Sequence, residues 1–409
     1  MNLLLISQYF PPEIGAGATR SESLVRYLRE KGWEIEVISE LPNYPTGIIP
    51  ANYRHSFHQK EEYCGSTIHR LWVWANSRSS NIQKMGLFLT FLWSSLLYIL
   101  FHPKKYDLVY ASSPPIFAAV AGCLIAKILR TRFVLEIRDI WPDAAVDIGS
   151  VDRDSLFFKI ASIIEHWLYK QADLIIPVTE AAETIIKHRS PETKTQVVFN
   201  GVDLENFHRI DNPMDFVEES YDSDKFRIGY VGSLGVIHDM KTVVEAAKLC
   251  EDDPEIEFIV VGDGSQRNKF LNYVNEVKPV NLKWLGLKPH ELIPAYISSF
   301  DVALNPVYDH ATFESIITVK FYEYLACGVP VISTARGQLQ KEGILSGAIT
   351  IDPGEPRKLA CKIIELKNDP QKLTEMRKKA PEYIKKFTRR SMTFKLSDIL
   401  TELINPRTE

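Results

Sequence analysis

The sequence predicts an α/β protein made of two doubly wound parallel-sheet domains. Short apolar, β-branched runs alternate with helical patterns; the alternation occurs twice, with a polar stretch between; and several runs end in glycine just before a helix. At 409 residues the chain also exceeds one ordinary core, so two domains are expected.

The first series opens with "LLLISQ", a helix over 18–31 and "EIEVIS". It continues with "DLVYAS", a helix over 117–129, "RFVLEI", a helix near 156–171 and "LIIPVT". Next comes "VVFNGVDLENFH", read as an apolar strand closed by an Asn-Gly turn, and then the polar "DNPMDFVEESYDSDK". The second series runs "RIGYVGS", helix 240–250, "IEFIVVG", helix 266–274, "LKWLG", helix 289–298 and "DVALNP". It ends in "VKFYEYLACGVPVIST", where Phe321, Tyr324, Leu325 and Cys327 mark the inner face of a helix. Gly328 suits the left-handed stop and Pro330 cannot continue the helix. The expected division is 1–195, 196–390, and a terminal helix over 391–409 that can return to the first domain. Two such sheets facing each other leave a central cleft lined by their carboxyl edges, where ligands of open α/β sheets bind.

Composition narrows the class. Apolar content of 45% and charge of 24% are those of a globular chain. A net charge of −4 carries no basic excess and argues against nucleic acid as a partner. Cys64, Cys123, Cys250, Cys327 and Cys361 form no CxxC and no His cluster, so neither a zinc site nor a disulfide framework is expected and a reducing cytosol fits. "MNLLLISQYF" lacks a basic start and a cleavage site, and reads as a first strand.

One segment, "MGLFLTFLWSSLLYILF" over 85–101, is apolar almost all round, with Lys84 before it and Lys104 and Lys105 after. Three readings stand: a buried core helix, a helix pressed into a membrane surface, and a span at the lower limit of length. The basic flanks and Trp93 favour the surface over the span. On that reading Leu92 and Leu96 are expected to face lipid.

Candidate ligand groups cluster at strand ends. In "PPEIGAGATR", Gly15 and Gly17 allow close approach of a ligand at a helix start, and Arg20 can meet a phosphate or stay solvated; the pattern is not the GxGxxG fingerprint. "RDIWPD" sets Arg138 for anion recognition, with Asp139 orienting it or accepting a proton; a structural ion pair is the alternative. Gly232, Ser233 and Gly235 form a second anion cradle, while Gly262 and Gly264 fit a cradle or a plain turn equally well. Ser315 is expected to cap the next helix, with the free N–H groups of 317–319 turned to an anion, a preference of ~0.3–1 kcal/mol at exposed sites. Lys320 adds a full charge for a diphosphate, and Glu323 can accept two hydrogen bonds from vicinal hydroxyls such as those of a ribose.

With these residues in place the chain resembles the retaining glycosyltransferases of family 4, of GT-B fold, over nearly its whole length. The carriers, in family order, are "PPEIGAGATRSESLVRYLREKGWEIEVIS", "RDIWPD", "VFNGVD", "GYVGSLG", "VVGDGS" and "VKFYEYLACGVPVI". The resemblance is greatest to bacterial transferases of O-antigen, capsule and exopolysaccharide synthesis, which often handle N-acetylated sugars. It implies that Glu323 holds the donor ribose, that Thr318, Val319 and Lys320 meet the diphosphate, and that Gly232 to Gly235 form the phosphate loop. It also implies that Gly15 and Gly17 lie near donor phosphate and acceptor, with Glu13, Arg20 and Arg138 on the acceptor side. The leaving diphosphate helps accept the acceptor's proton; no protein nucleophile, metal or cofactor is implied. UDP is the first donor carrier by this analogy and GDP the second. The resemblance implies a lipid-linked glycan as acceptor, and with the 85–101 segment it leads to the expectation of a cytoplasmic enzyme peripheral to the inner face of the plasma membrane.

The chain departs from the family pattern at three places. Where a glutamate stands eight residues before Glu323, this chain has Ser315, and Glu314 beside it takes the sugar-hydroxyl role. The phosphate loop's usual Arg and Lys are replaced by Ser233 and His238, leaving Lys320, Arg336 or Lys241 to meet the diphosphate. Arg138 stands where a histidine is usual, a change that suits a lipid-diphosphate acceptor. Two rival functions share the fold: a UDP-sugar 2-epimerase, and a non-catalytic subunit of a polysaccharide assembly.

Overall fold

Parallel strands need crossovers, and the helical patterns between the apolar runs supply them in both halves of the chain. The structure, a computed structural model, describes residues 1–44, 46–77, 80–147, 149, 151–217 and 225–406. Two units result: Met1–Asn200 joined by Arg389–Glu409, and Gly201–Thr388. The first break falls at the Asn-Gly turn, where Gly201 takes a φ of +67° that L side chains rarely adopt. Part of the polar stretch after it, 218–224, lies outside the described residues.

Unit 1 contains β1 (Asn2–Ile6), α1 (Ala16–Glu30), β2 (Glu34–Glu40), β3 (His58–Tyr63), β4 (Ser66–Leu71), α2 (Asn81–Phe101) and β5 (Leu108–Ser113). It continues with α3 (Ile116–Leu129), β6 (Arg132–Ile137), α4 (Asp143–Asp147), α5 (Leu156–Gln171), β7 (Leu174–Pro177) and α6 (Glu180–Arg189). The sheet order is β3-β4-β2-β1-β5-β6-β7, parallel except for the β3–β4 hairpin at one edge. Sequence reading missed that hairpin because β3 ("HQKEEY") is polar on both faces, as an edge strand can be. The strand expected in "VVFNG" is not one: Gln196 and Val198 donate backbone hydrogen bonds to Ile175 and Pro177 (3.0 and 3.1 Å) beside β7, and the chain then turns away.

Unit 2 contains β8 (Phe226–Val231), α7 (Met240–Leu249), β9 (Ile256–Val261), α8 (Arg267–Val277), β10 (Leu282–Trp284), α9 (Ile293–Ser298) and β11 (Val302–Pro306). After these come α10 (Val319–Ala326), β12 (Val331–Thr334), α11 (Gly337–Ser346), β13 (Ile349–Ile351), α12 (Pro356–Lys367) and α13 (Pro370–Ile384). Its sheet runs β10-β9-β8-β11-β12-β13, all parallel. The last helix, α14 (Arg389–Ile404), belongs to unit 1: Leu396 and Leu400 enter the core beside Leu28, and the Trp33 indole N–H donates to Ser397 Oγ at 2.9 Å.

Both sheets set their first strand beside a later one that winds the other way, β1 beside β5 and β8 beside β11. The loops leaving such a pair diverge and open a crevice at the carboxyl edge.

The 85–101 segment lies within α2, whose start is capped by Ser80 Oγ accepting from Gln83 N at 3.2 Å. One face is buried in unit 1 through Leu87, Phe91, Leu92, Leu96 and Ile99, in a core shared with α3. The expectation that Leu92 and Leu96 face outward is therefore corrected, since they are 8% and 9% exposed. The opposite face shows Trp93, Leu97, Leu100 and Phe101 to solvent at 61%, 50%, 57% and 76%. By length and composition α2 could cross a membrane, yet one face of it is integral to the core of unit 1.

Candidate active site

In unit 2 the crevice between β8 and β11 is built around Lys320, on the first turn of α10. Its ammonium is buried, 2.6 Å from Tyr230 Oη, 3.1 Å from His238 Nε2 and 4.0 Å from the centre of the Tyr230 ring. The His238 Nδ1 lies 3.2 Å from the Pro306 carbonyl, which can only accept, so Nδ1 donates and Nε2 is left to accept from Lys320. The Tyr230 hydroxyl donates in turn to the Ser233 carbonyl at 2.5 Å. Burial, and then the facing ammonium, push the His238 pKa well below the usual imidazole value and keep the ring neutral. Burial also pulls Lys320 down to about 7, against the carboxylate of Glu323, which raises it.

Glycine makes this packing possible. A Cβ on Gly232, whose φ is +141°, would stand 2.7 Å from Lys320 Nζ. A Cβ on Gly262 would stand 2.0 Å from the Gly232 carbonyl, and one on Gly264 2.5 Å from that of Leu234. The 262–264 loop is thus the floor against which the 232–235 loop is laid, tied to it by Leu234 N to Asp263 O at 2.9 Å. That gives Gly262 a supporting place. Ser233 is exposed at the lip, and Gly235 lies beside it.

The helix start differs from expectation. Ser315 closes a 3-10 turn (Ala311–Ser315), and α10 begins at Val319 with Thr318 as its cap residue. The Thr318 hydroxyl does not cap the helix but donates to Asn305 Oδ1 at 2.9 Å, tying the turn to the end of β11. Glu323 is half-buried one turn beyond Lys320. Glu314 is exposed, its main chain pressed on Gly337, where a Cβ would come 2.3 Å from the Glu314 carbonyl.

Two other cations face elsewhere. Arg336 is held by Asp309 (3.0 and 2.9 Å) and Asp352 (3.4 Å), and Lys241 pairs with Glu245 along α7 at 3.7 Å. Of the three cations expected to meet a diphosphate, Lys320 alone lies under the glycine loop. Among the described residues no group of three or more His, Cys, Asp and Glu side chains is arranged to hold a metal ion.

In unit 1 the crevice beside β1 and β5 holds Gly15, Gly17 and Arg138. Gly15, at φ +129°, precedes the first residue of α1, and a Cβ on Gly17 would meet Arg138 Nη1 at 2.7 Å. The guanidinium donates to the Pro114 carbonyl, while its buried Nε has no hydrogen-bond partner. Asp139 beside it is exposed.

Two of the expected acceptor residues have partners within unit 1. Glu13 Oε1 accepts from the backbone N–H of Asn43 and of Tyr44, both at 2.9 Å, and holds that loop. Arg20 is buried against Glu136, Nε to Oε1 2.9 Å, and the same carboxylate accepts from Tyr110 Oη (2.9 Å) and Ser112 Oγ (2.8 Å). Burial works against the charged form of Glu136, but Arg20 and then Arg138 more than offset it and hold its pKa below the ordinary value. This cluster fixes the strand end from which Arg138 projects. Sequence reading missed Tyr110, Ser112, Glu136 and Tyr230, which sit within apolar strand runs; a polar residue inside such a run was the available signal.

Two doubly wound α/β units, each with a glycine-lined crevice and a cation at the carboxyl edge, have the architecture of the GT-B fold. Residues 15–201 match the glycosyl transferase 4-like domain and residues 211–386 the glycosyl transferases group 1 family. The chain belongs to the glycosyltransferases that join these two domains. It is 23% identical over 343 residues to WcaI of Escherichia coli, a glycosyl transferase assigned to colanic acid biosynthesis, covering 82% of this chain and 84% of that protein. Sucrose-phosphate synthase of Thermosynechococcus elongatus superposes with a TM-score of 0.78 at 18% identity, over 98% of each chain. HepE of Anabaena in complex with UDP-glucose superposes at 0.70 and 17% identity, over 98% of this chain and 100% of that one.

Breaking the buried pair leaves a charge without its partner. Glu136→Ala is expected to destabilise the protein by ~3–5 kcal/mol, read by urea denaturation, whereas Glu314→Ala at the exposed turn should stay within ~0.5 kcal/mol of the parent.

Proposed function

We propose that this enzyme is a retaining transferase that moves a sugar, of the N-acetylated hexosamine type, from a UDP-linked donor to a lipid-linked glycan in bacterial surface polysaccharide synthesis. The observation that carries the donor side is Lys320, an ammonium buried directly beneath the Gly232 loop at the switch point of unit 2. A diphosphate over that loop meets the dipole of α10 and the Lys320 charge together. Glu323, one turn on, is placed to accept from the two ribose hydroxyls. HepE, a protein of this fold, binds UDP-glucose, which favours UDP as the carrier. The assignment to polysaccharide synthesis follows WcaI.

In this reading the donor phosphates are neutralised by protein groups and no metal is needed. Developing negative charge on the leaving diphosphate strengthens its hold on Lys320 and the helix start, which lowers the barrier. The same phosphate accepts the acceptor's proton on the face where the bond forms, and Glu314 orients the sugar hydroxyls. Arg138 holds an anionic part of the acceptor in unit 1. The exposed stripe on α2 and a second one on α5 (Leu156, Ile160 and Ile163, 73%, 48% and 69% exposed) rest on the membrane surface.

Removing the ribose contact should cost the ~1.5–3 kcal/mol of hydrogen bonds to a charged group, so Glu323→Ala should weaken UDP binding by about tenfold or more in calorimetric titration. Unchanged affinity would remove Glu323 from the site. A second measurement concerns pH. The free Lys320 side chain loses its proton near about 7, and the diphosphate stabilises the protonated form. Binding is therefore complete in proton below that pH and must take one up above it. UDP affinity should fall by up to about tenfold per unit between about pH 7 and pH 9, and Lys320→Met should flatten that slope. For the membrane contact, Leu97→Lys should abolish flotation with anionic vesicles without loss of thermal stability. Undiminished flotation of that variant would exclude the α2 stripe.

A further inference from the structure

The crevice of unit 2 opens where two neighbouring strands part. β8 pairs with β11 through Ile228–Val302 and Gly229–Ala303, yet it stays on β9 as far as Val231, and β11 stays on β12 as far as Pro306. Gly232 N donates to Val261 O of β9 at 3.0 Å, so the N–H and C=O of Val231, one residue earlier, turn the other way. They face the gap that β11 has left, and buried backbone groups require partners.

Tyr324 on α10 meets that requirement. Its hydroxyl accepts from Val231 N and donates to Val231 O, both at 2.9 Å, and so stands in for the missing strand. The ring is fully buried. Burial pushes the phenol pKa up, so the group keeps the proton that it donates.

This contact joins the two parts of the crevice. Val231 immediately precedes Gly232, and Tyr324 follows Glu323, one turn beyond Lys320. The start of α10 is tied elsewhere by Thr318 to Asn305 and by Asn305 Nδ2 to Ser333 Oγ at 3.2 Å, which hold it to β11 and β12. Toward β8, Lys320 meets side chains, whereas Tyr324 grips the main chain. A phenylalanine would fill the same space but strand a buried N–H and a buried C=O, leaving loop and helix free to separate.

We propose that Tyr324 is a positioning residue of the donor site: its hydroxyl fixes how closely α10 approaches the Gly232 loop, and so how deeply Lys320 lies beneath a bound diphosphate. The proposal rests on the donor reading above and adds to it a residue that acts through Lys320 without touching the ligand. Lys320 is faced by Tyr230 from β8, His238 from the loop before α7 and Glu323 from its own helix. Burial keeps Tyr230 protonated and His238 neutral, so the pH dependence of UDP binding reports Lys320.

The test titrates UDP calorimetrically against pH in the parent chain, in Tyr324→Phe and in Leu366→Ala. The last is a core truncation beside the Lys367–Asp253 pair, at the amino edge of the sheet. Tyr324→Phe should weaken UDP by about tenfold at pH 6. It should also raise by about one unit the pH above which affinity falls, because an ammonium that regains water returns toward its ordinary pKa. Leu366→Ala should lower thermal stability and leave both quantities alone. Parent-like affinity in Tyr324→Phe, or weaker binding with an unmoved midpoint, would overturn the proposal. In the parent chain the Val231 amide should exchange with deuterium as slowly as amides paired within the sheet; exchange at the rate of exposed loop amides would overturn it whether or not the variant folds. If the parent binds UDP and Tyr324→Phe is indifferent, this proposal fails alone; if the parent binds no UDP, the donor reading fails and takes the proposal with it.

Discussion

A buried ammonium group is costly, and unit 2 is arranged around one. Lys320 loses most of its water and recovers a phenol oxygen, a ring face and an imidazole nitrogen in exchange. None of those partners is negative, so the charge is only marginally held, which is why its pKa falls to about 7. A site in that condition is poised for an anion. The glycines at 232 and 262 follow from the same constraint, since any side chain at either would collide with the ammonium or with the loop above it.

Unit 1 handles its positive charge in the opposite way. Arg20 is matched by a full carboxylate, and Tyr110 and Ser112 complete the hydrogen bonding of Glu136. Such a cluster is held together by charge-assisted hydrogen bonds, although the Arg20 Nη2 is buried without a partner. Arg138, two residues after Glu136, donates to the Pro114 carbonyl, packs against Gly17 and keeps a buried Nε without a hydrogen-bond partner. The two arginines, alike in sequence terms, therefore differ in partner: a buried carboxylate for one, a backbone carbonyl for the other.

The apolar helix reconciles two demands that the composition alone left in competition. Its inner face is packed as tightly as any core helix, through Leu87, Phe91 and Ile99, while Trp93, Leu97, Leu100 and Phe101 stay in contact with solvent. A helix apolar all round can serve a core and a surface at once when a sheet layer lies on one side of it only. The aromatic and aliphatic side chains at its start meanwhile line a cavity that reaches Arg138.

Local patterns were enough to read the two parallel sheets, the glycine turns at their strand ends, and the placing of Lys320 and Glu323 one turn apart on a helix. Such features depend on neighbours in the chain, through the 3.6-residue period and the absence of a Cβ. What the sequence left open is everything set by contacts across long separations. Only the folded chain decided that Arg20 meets Glu136, that Arg336 is spent on Asp309 and Asp352, and that Leu92 points inward while Leu97 points out. The β3–β4 edge and the helix start at Val319 were likewise decided by tertiary packing. The physical reason is common to all of them: a side chain's type states what partner it needs, and only the packing of distant segments states which partner it has.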